Sequence, residues 1–377
     1  MSAELHAWKP AGEQDLIDVC DKTRPRCPLA HNEQLHWAVL RQQEARQVLS
    51  DHSTFSNKVS RHVSVPNGMD PPRHGDYRRI IEPYFGPEPM AEFRPRCQAV
   101  INQLSQRLSG EVELITQFAE PLSLQLQCAF MGWPDSLHGP LRDWTARQHA
   151  ATRNRDSIAL KALAETFDGY IGEQLTRRRQ QGKDAPNDVT TRLLAERING
   201  RALTHEELVS LIRNWTVGEL GTITACVAIV AHYLAAHPHI QQQLKQDPGL
   251  RPAAIDEILR IHPPLLSNRR ITTKEVKLGD TLLPAGSRLT LLWASINRDE
   301  AIFGNPNTFR PLENRPHNLL YGAGIHVCPG APLARMELEL TLDALLNAGM
   351  LGLISGKTPV KAQYPAGGFS ELWVRVE

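Results

Sequence analysis

The sequence has few cysteines and no cysteine spacing that would hold a metal or a disulfide framework. Six cysteines are spread over 377 residues, and none of them forms a CxxC pair. This pattern argues against a zinc site and against a disulfide-rich secreted domain. We therefore expect reduced thiols in a cytoplasmic protein.

The sequence also lacks an excess of one charge, a long hydrophobic run and any internal repeat. Its formal net charge is +1, which favours neither nucleic acid nor a membrane surface as a partner. The first residues do not combine a basic start with an apolar core, and the longest apolar stretch, at 223–231, is short for a bilayer. We expect a soluble protein that binds no nucleic acid and no membrane.

Hydrophobic periodicity predicts a mainly α-helical chain with a minor β region, folded as a single domain over 1–377. The clearest helix runs through 204–238, because Thr204 and Glu207 form a capping-box pattern at its start. We also predict helices over 74–85, over most of 90–180, over 252–264 and after Pro332, strands within 275–299, and a loop-rich segment over 300–331.

One cysteine lies in a segment rich in glycine, LLYGAGIHVCPGAPLAR at 319–335. Gly322, Gly324 and Gly330 clear space around Cys328, and a predicted helix begins just after it. The free N–H groups of that helix are expected to lower the pKa of the thiol. A lone loop cysteine is usually structural, but a thiolate beside a glycine-cleared surface is the chemistry of a haem axial ligand.

The stretch resembles the haem-binding loop of cytochrome P450, aromatic-G-x-G-x-H/R-x-C-x-G, with Tyr321 at the usual phenylalanine. The resemblance covers nearly the whole chain. It implies the P450 fold, a triangular helical prism around a buried haem. It also implies that Cys328 ligates the iron of haem b and that Tyr321, Gly322 and Gly330 belong to the cofactor-binding loop.

Three further motifs of the family have counterparts here. Glu257 and Arg260 resemble its buried E-x-x-R pair. The arginine that completes this triad falls on Glu313 in an ungapped overlay, so that Arg310 or Arg315 would have to replace it. Four basic residues match positions that bind the haem propionates: His74, Arg78, Arg270 and His326.

The central helix departs from the family pattern [AG]-G-x-[DE]-T, because it reads VGELGT. Thr222 occupies the threonine position, and Gly221 stands where the acid belongs. Glu219 lies three residues before Thr222, on the same helix face. Two hypotheses stay open: Glu219 takes over part of the proton relay through a water, or it is a substrate-contacting or pocket-wall residue.

The resemblance implies insertion of one oxygen atom from O2 into an apolar small organic molecule. Electrons would come from a separate ferredoxin-type donor with its reductase, docked in part on the basic segment around Arg73, Arg78 and Arg79. A peroxide-driven oxygenase and a non-oxygenating haem-thiolate binding protein are the alternatives. Family position suggests four pocket residues: Trp215, Leu220, Leu265 and Asn268.

Overall fold

The structure is a computed structural model that describes residues 3–10, 12, 14–60, 63–154 and 156–377. Helices account for most of the ordered secondary structure. Their bounds are Ala3–Ala7 (α1), Leu16–Thr23 (α2), Gln42–Ser50 (α3), Arg73–Ile81 (α4), Pro87–Ser105 (α5), Glu120–Met131 (α6), His138–Arg153 (α7), Ser157–Gln181 (α8), Val189–Ala195 (α9), His205–Ala236 (α10), Pro238–Gln246 (α11), Arg251–Ile261 (α12), Trp293–Ile296 (α13), Glu300–Phe303 (α14), Pro311–Asn314 (α15) and Ala331–Ala348 (α16).

The strands are short and form a minor part of the fold. Their bounds are Leu29–Asn32 (β1), His36–Val39 (β2), Phe55–Ser56 (β3), Gly110–Glu113 (β4), Arg197–Ile198 (β5), Arg201–Ala202 (β6), Ser267–Thr272 (β7), Val276–Leu278 (β8), Thr281–Leu283 (β9), Arg288–Leu292 (β10), Leu351–Leu353 (β11), Val360–Lys361 (β12), Phe369–Glu371 (β13) and Trp373–Val376 (β14).

The largest sheet has the strand order β1-β2-β10-β7-β3. Strands β2 and β10 are parallel, whereas the other neighbours in this sheet are antiparallel. A three-stranded sheet, β11-β14-β4, joins the C-terminal strands to a strand from the first half of the chain. The large sheet positions the site, because β7 carries Asn268 and Arg270 beside the central helix.

Helix α10 is the central element, and it begins and ends where the sequence predicts. The side chain of Thr204 accepts from the backbone N–H of Glu207, whose carboxylate accepts in turn from the N–H of Thr204. The helix is long and apolar enough to cross a membrane by length and composition, but 72% of its most apolar 18-residue stretch is buried. It packs against α6, α8, α12 and α16, so its apolar surface is core surface.

Most of the predicted elements are confirmed, and one is wrong in part. Helices are present at α4, α12 and α16, and strands β8, β9 and β10 lie within 275–299. The same stretch ends in the short helix α13 rather than in a strand. The mostly apolar segment from Leu289 to Ile296 is continuously buried, and such a segment does not distinguish strand from helix.

Candidate active site

A cavity of about 680 Å³ lies between α10, strand β7 and the loop that precedes α16. Its volume is in the usual range for small-molecule sites. The sequence-predicted residues on its wall are Trp215, Glu219, Thr222, Leu265, Asn268, Arg270, Tyr321, Gly322, His326, Cys328 and Gly330. His74, Arg78 and Leu220 are not on the wall. Eleven positions spread over more than a hundred residues are thus brought to one cavity.

The thiol of Cys328 faces this cavity from the loop before α16. The backbone N–H groups of Gly330 and Ala331 lower the pKa of the thiol, as the sequence suggests. Desolvation by the surrounding protein outweighs them although the sulfur faces the open cavity, so the net pKa of Cys328 is raised and the expectation of a lowered value is wrong.

One glycine in this loop is required by a close backbone approach, and a second lies beside the sulfur. Gly324 has φ +70°, and a Cβ there would lie 2.3 Å from the carbonyl oxygen of Leu49 in α3, so only glycine fits. A Cβ on Gly330 would lie 3.9 Å from the sulfur of Cys328 and 3.8 Å from the ring of Phe85. The first glycine lets the loop pack directly on α3, whereas a Cβ at the second position would make only ordinary van der Waals contacts.

Basic side chains cluster at one end of the cavity. The rings of His74 and His326 lie 4.3 Å apart, and the Nε2 atom of each is buried without a hydrogen-bond partner. Burial and the neighbouring cations lower the pKa of His326 to about 3, and burial lowers that of Arg270 to about 10. The sequence did not point to His52, which adds to the positive potential here. Two carboxylates act on this cluster, because Glu82 pairs with Arg78 and the charge of Asp70 acts on His74 and Arg270.

Arg78 holds the cysteine loop rather than lining the cavity. Its Nη1 donates to the backbone carbonyl of Val327 at 2.8 Å, and its Nε donates to Glu82 at 2.9 Å. Because Val327 directly precedes Cys328, this contact ties α4 to the loop that carries the sulfur. The charge of Arg78 also acts on the thiol of Cys328 and lowers its pKa.

Glu219 and Thr222 both lie on the cavity face of α10, as their spacing predicts. Burial raises the pKa of Glu219 to about 7. Its carboxyl faces that of Glu337 from α16, a fully buried residue that the sequence analysis missed. Nothing in the sequence near Glu337 marks it, because its helix carries other acidic residues at ordinary spacing.

The rest of the wall is mainly aromatic and apolar. Trp215 makes edge contacts with Phe85, with ring centroids 5.0 Å apart. The Oδ1 atom of Asn268 accepts from Trp293 Nε1 at 2.7 Å, which fixes the amide. The prediction that Leu220 lines the pocket is wrong. Leu220 is buried in the core on another face of α10, where its backbone carbonyl accepts from the Ser123 hydroxyl.

Glu257 and Arg260 form the buried pair that their spacing suggests. Two bonds of 2.7 and 2.9 Å join them, with side chains 1% and 0% exposed. Neither Arg310 nor Arg315 closes the triad with its side chain. Glu257 instead accepts from Asn314 Nδ2 at 2.7 Å and from the backbone N–H of Arg310 at 3.0 Å. An amide and a main-chain donor thus take the place of the expected guanidinium.

These features fit a haem group. The site offers one sulfur donor that is exposed to the cavity, next to apolar walls. It also offers the buried side chains of Arg270, His74 and His326, and the Nε2 atoms of the two histidines have no hydrogen-bond partner, which suits a ligand with carboxylate arms.

Comparison with known proteins gives a consistent result. The family model described as Cytochrome P450 matches residues 250–366. The chain is similar to the cyclomarin C epoxidase CymV of Salinispora arenicola, with 30% identity over 82% of this chain and 82% of that protein. It is also similar to the nocardicin C N-oxygenase of Nocardia uniformis, with 30% identity over 82% of this chain and 81% of that protein.

A solved structure agrees over almost the full length. The open form of cytochrome P450 EryK from S. erythraea superimposes with a TM-score of 0.88 at 25% identity, covering 97% of this chain and 96% of that one. The predicted fold class, mainly α with a minor β region, is therefore confirmed.

Proposed function

Because the chain belongs to the cytochrome P450 family and is a haem-dependent monooxygenase, we propose that Cys328 is the axial thiolate ligand of haem b. The observation that carries this proposal is the placement of the Cys328 sulfur, Thr222 and Arg270 on one cavity wall. When bound, haem supplies the activation of O2 and the insertion of one oxygen atom into a small organic substrate. The protein supplies binding, orientation and protons.

The propionates are assigned to the basic end of the cavity. Arg270 and His326 line the cavity and would donate directly. His74 lies against His326 and supports it from behind, while Arg78 holds the loop and adds its charge. An anion at this position would also restore the pKa of His326 upward, because a nearby negative charge favours the protonated imidazole.

Glu219 and Thr222 are the proposed proton route between the cavity and the protein interior. The Thr222 hydroxyl can order a water in the cavity, and Glu219 can supply that water with a proton. The pKa of Glu219, raised to about 7 by burial, allows it to hold a proton near neutral pH. This favours the relay hypothesis over a purely structural wall residue, since an acid near its pKa is matched to proton transfer.

The substrate is proposed to be mostly apolar, with Trp215, Leu265 and Asn268 among its contacts. Trp215 and its aromatic neighbours offer flat apolar surface, and Leu265 adds an aliphatic contact. The fixed amide of Asn268 is the polar group on β7 that can orient a substrate oxygen or nitrogen. Screening a library of small molecules for shifts of the haem absorption would identify the class.

We propose a ferredoxin-type electron donor with a reductase, and a cytoplasmic location. Arg73 and Arg79 are exposed on α4, whose buried Arg78 contacts the residue before Cys328. Exposed cations close to the cysteine loop suit an acidic partner. Arg78 itself is withdrawn from that surface, because its side chain is only 10% exposed.

Product formed per reductant consumed tests the proton route. We expect both Thr222→Ala and Glu219→Gln to lower this ratio by about tenfold or more, because each removes a proton-transfer group. The route through Glu219 is wrong if the glutamine variant keeps the wild-type ratio while the alanine variant loses it. Supplying peroxide without reductase tests the alternative of a peroxide-driven oxygenase. Such an enzyme would form product without an electron donor and without Thr222 or Glu219.

A further inference from the structure

Two buried carboxyl groups face each other beside the cavity without a cation to neutralise them. Glu219 projects from α10 and is 8% exposed, while Glu337 projects from α16 and is 0% exposed. Burial and the opposite carboxyl are the influences on both groups, and no lysine or arginine contributes among the described residues. Such a pair is unusual, because buried charges are normally paired or hydrogen-bonded.

The two carboxyls have different access to the cavity. Glu219 lies on the cavity wall, whereas Glu337 lies behind it and does not line the cavity. Neither oxygen of Glu337 has a fixed donor from the protein, and the Oε1 atom of Glu219 has none either. If both groups were ionised they would repel in a desolvated space, and no hydrogen bond could join them. A proton on one of them creates that bond.

We propose that Glu219 and Glu337 form a proton-holding pair, in which Glu337 keeps its proton and donates a hydrogen bond to Glu219, and Glu219 exchanges its own proton with the cavity. The inference rests on the proposed function, in which Glu219 serves the cavity with protons. Glu337 touches neither substrate nor cofactor and is therefore a positioning residue.

The electrostatics of the pair support this division of roles. Burial, the charge of Glu219 and donation of a hydrogen bond to Glu219 raise the pKa of Glu337 well above its usual value. The hydrogen bond from Glu337 lowers the pKa of Glu219, because it stabilises the Glu219 carboxylate. The other titratable groups that face the pair are thiols, Cys97 on α5, Cys226 on α10 and Cys328, and none supplies a positive charge.

The proton balance of one exchange is simple. Glu219 transfers its proton to a water in the cavity and becomes a carboxylate. Glu337 retains its own proton and hydrogen-bonds the new carboxylate, so the pair changes from neutral to a single negative charge. A proton taken up from cavity water restores the neutral pair. No electron is transferred and no covalent bond other than O–H is broken.

Infrared spectroscopy of the holoprotein tests the pair directly, because a protonated carboxyl has a C=O stretch distinct from that of a carboxylate. We expect two buried carboxyl signals at acid pH, of which one disappears on titration through neutrality and the other persists. Glu219→Gln should remove the signal that titrates near neutral pH. This spectroscopic signature does not depend on turnover.

Two variants of Glu337 separate hydrogen-bond donation from packing. Glu337→Gln keeps a donor, so the titration midpoint of Glu219 should stay within a few tenths of a pH unit of wild type. Glu337→Leu fills similar space without a donor, so the midpoint should move upward by about one pH unit, since the carboxylate loses its hydrogen bond. Glu339→Gln, on the same helix and without access to the cavity, is the matched control and should change nothing.

The outcomes are decisive in both directions. A neutral-pH titration that is present in wild type, kept in Glu337→Gln and displaced in Glu337→Leu supports the pair. Equal midpoints in both Glu337 variants, or no protonated carboxyl at neutral pH, overturn it. The proposed function is tested separately from the carboxyl pair. A protein that binds haem through sulfur and oxygenates substrates but lacks this infrared signal would contradict only the proposed carboxyl pair.

Discussion

Two buried carboxyl sites in this molecule solve the same desolvation problem in opposite ways. Glu257 on α12 is surrounded by donors: two from Arg260, one from the backbone of Arg310 and one from Asn314. The carboxyl of Glu219 on α10 faces that of Glu337, and no lysine or arginine of the described residues contributes a positive charge there. The first arrangement holds a fixed negative charge. The second holds a proton that can be removed.

The difference follows from what each site contacts. Glu257 lies away from the cavity and joins α12 to α15 and to the loop before α15, so a fixed charge serves as a structural link. Glu219 lies on the cavity wall beside Thr222, where a permanent counterion would prevent protonation. The hydrogen-bond donors around a buried carboxyl therefore distinguish a structural residue from a proton-transfer residue more clearly than its sequence spacing does. Both pairs of positions, 257/260 and 219/222, have the same i, i+3 spacing.

Removing the cation from the scaffold site should give the largest effect. Arg260→Met leaves the buried charge of Glu257 without its bidentate partner, and we expect a loss of about 3–5 kcal/mol of unfolding free energy. Denaturant unfolding followed by circular dichroism measures it. The matched control is Arg213→Met, which breaks the partly exposed pair with Asp168 and should change stability by about 0–1 kcal/mol. Equal losses of unfolding free energy in the two variants would contradict the claim that the buried pair matters more for stability than the partly exposed pair.

The carboxyl pair should make stability depend on pH. The pKa of Glu219 in the folded protein, about 7, lies above its ordinary value of 4.5, so its contribution is complete at low pH and is lost as the pH rises through about 7. Between about pH 5 and about pH 8, wild type should therefore lose about 2–3 kcal/mol more than Glu219→Gln. Unfolding curves across this pH range measure the difference. Parallel pH profiles for the two proteins would contradict it.

The smallest expected effect concerns the amide that replaces the family's arginine. Asn314→Ala removes one of four donors to Glu257, and because the other three remain, the loss should be about 1 kcal/mol. Denaturant midpoints compared with Asn305→Ala, an exposed asparagine in a nearby loop, measure it. A loss as large as that of Arg260→Met would show that the amide, rather than the guanidinium, holds the site.

Much of the architecture could be predicted because local signals and tertiary contacts agree. The capping box of Thr204 and Glu207 begins α10 where the pattern places it, and the proline after the cysteine loop lies in the first turn of α16. The stretch Trp293–Ile296 could not be predicted, since a continuously buried apolar run is compatible with a strand or a helix.

The site was predictable where a motif ties residue type to spacing, and not where contacts are long-range. The placement of Thr222 and Cys328 follows from their motifs, whereas Glu337 has no signal of its own and meets Glu219 only because α16 packs on α10. The side of α10 that Leu220 occupies also depends on packing against α6, which one sequence does not reveal. The sulfur environment shows the same limit, because burial outweighs the N–H groups that the sequence suggested.

The most direct test of the account is the absorption spectrum of the reduced protein under carbon monoxide. If the sulfur of Cys328 is bonded as a thiolate to haem iron, the Soret band must show the large red displacement peculiar to that ligation, and Cys328→Ser must lose it. A Soret band typical of an imidazole-ligated haem, or a protein that takes up no haem when haem is supplied, would contradict the account.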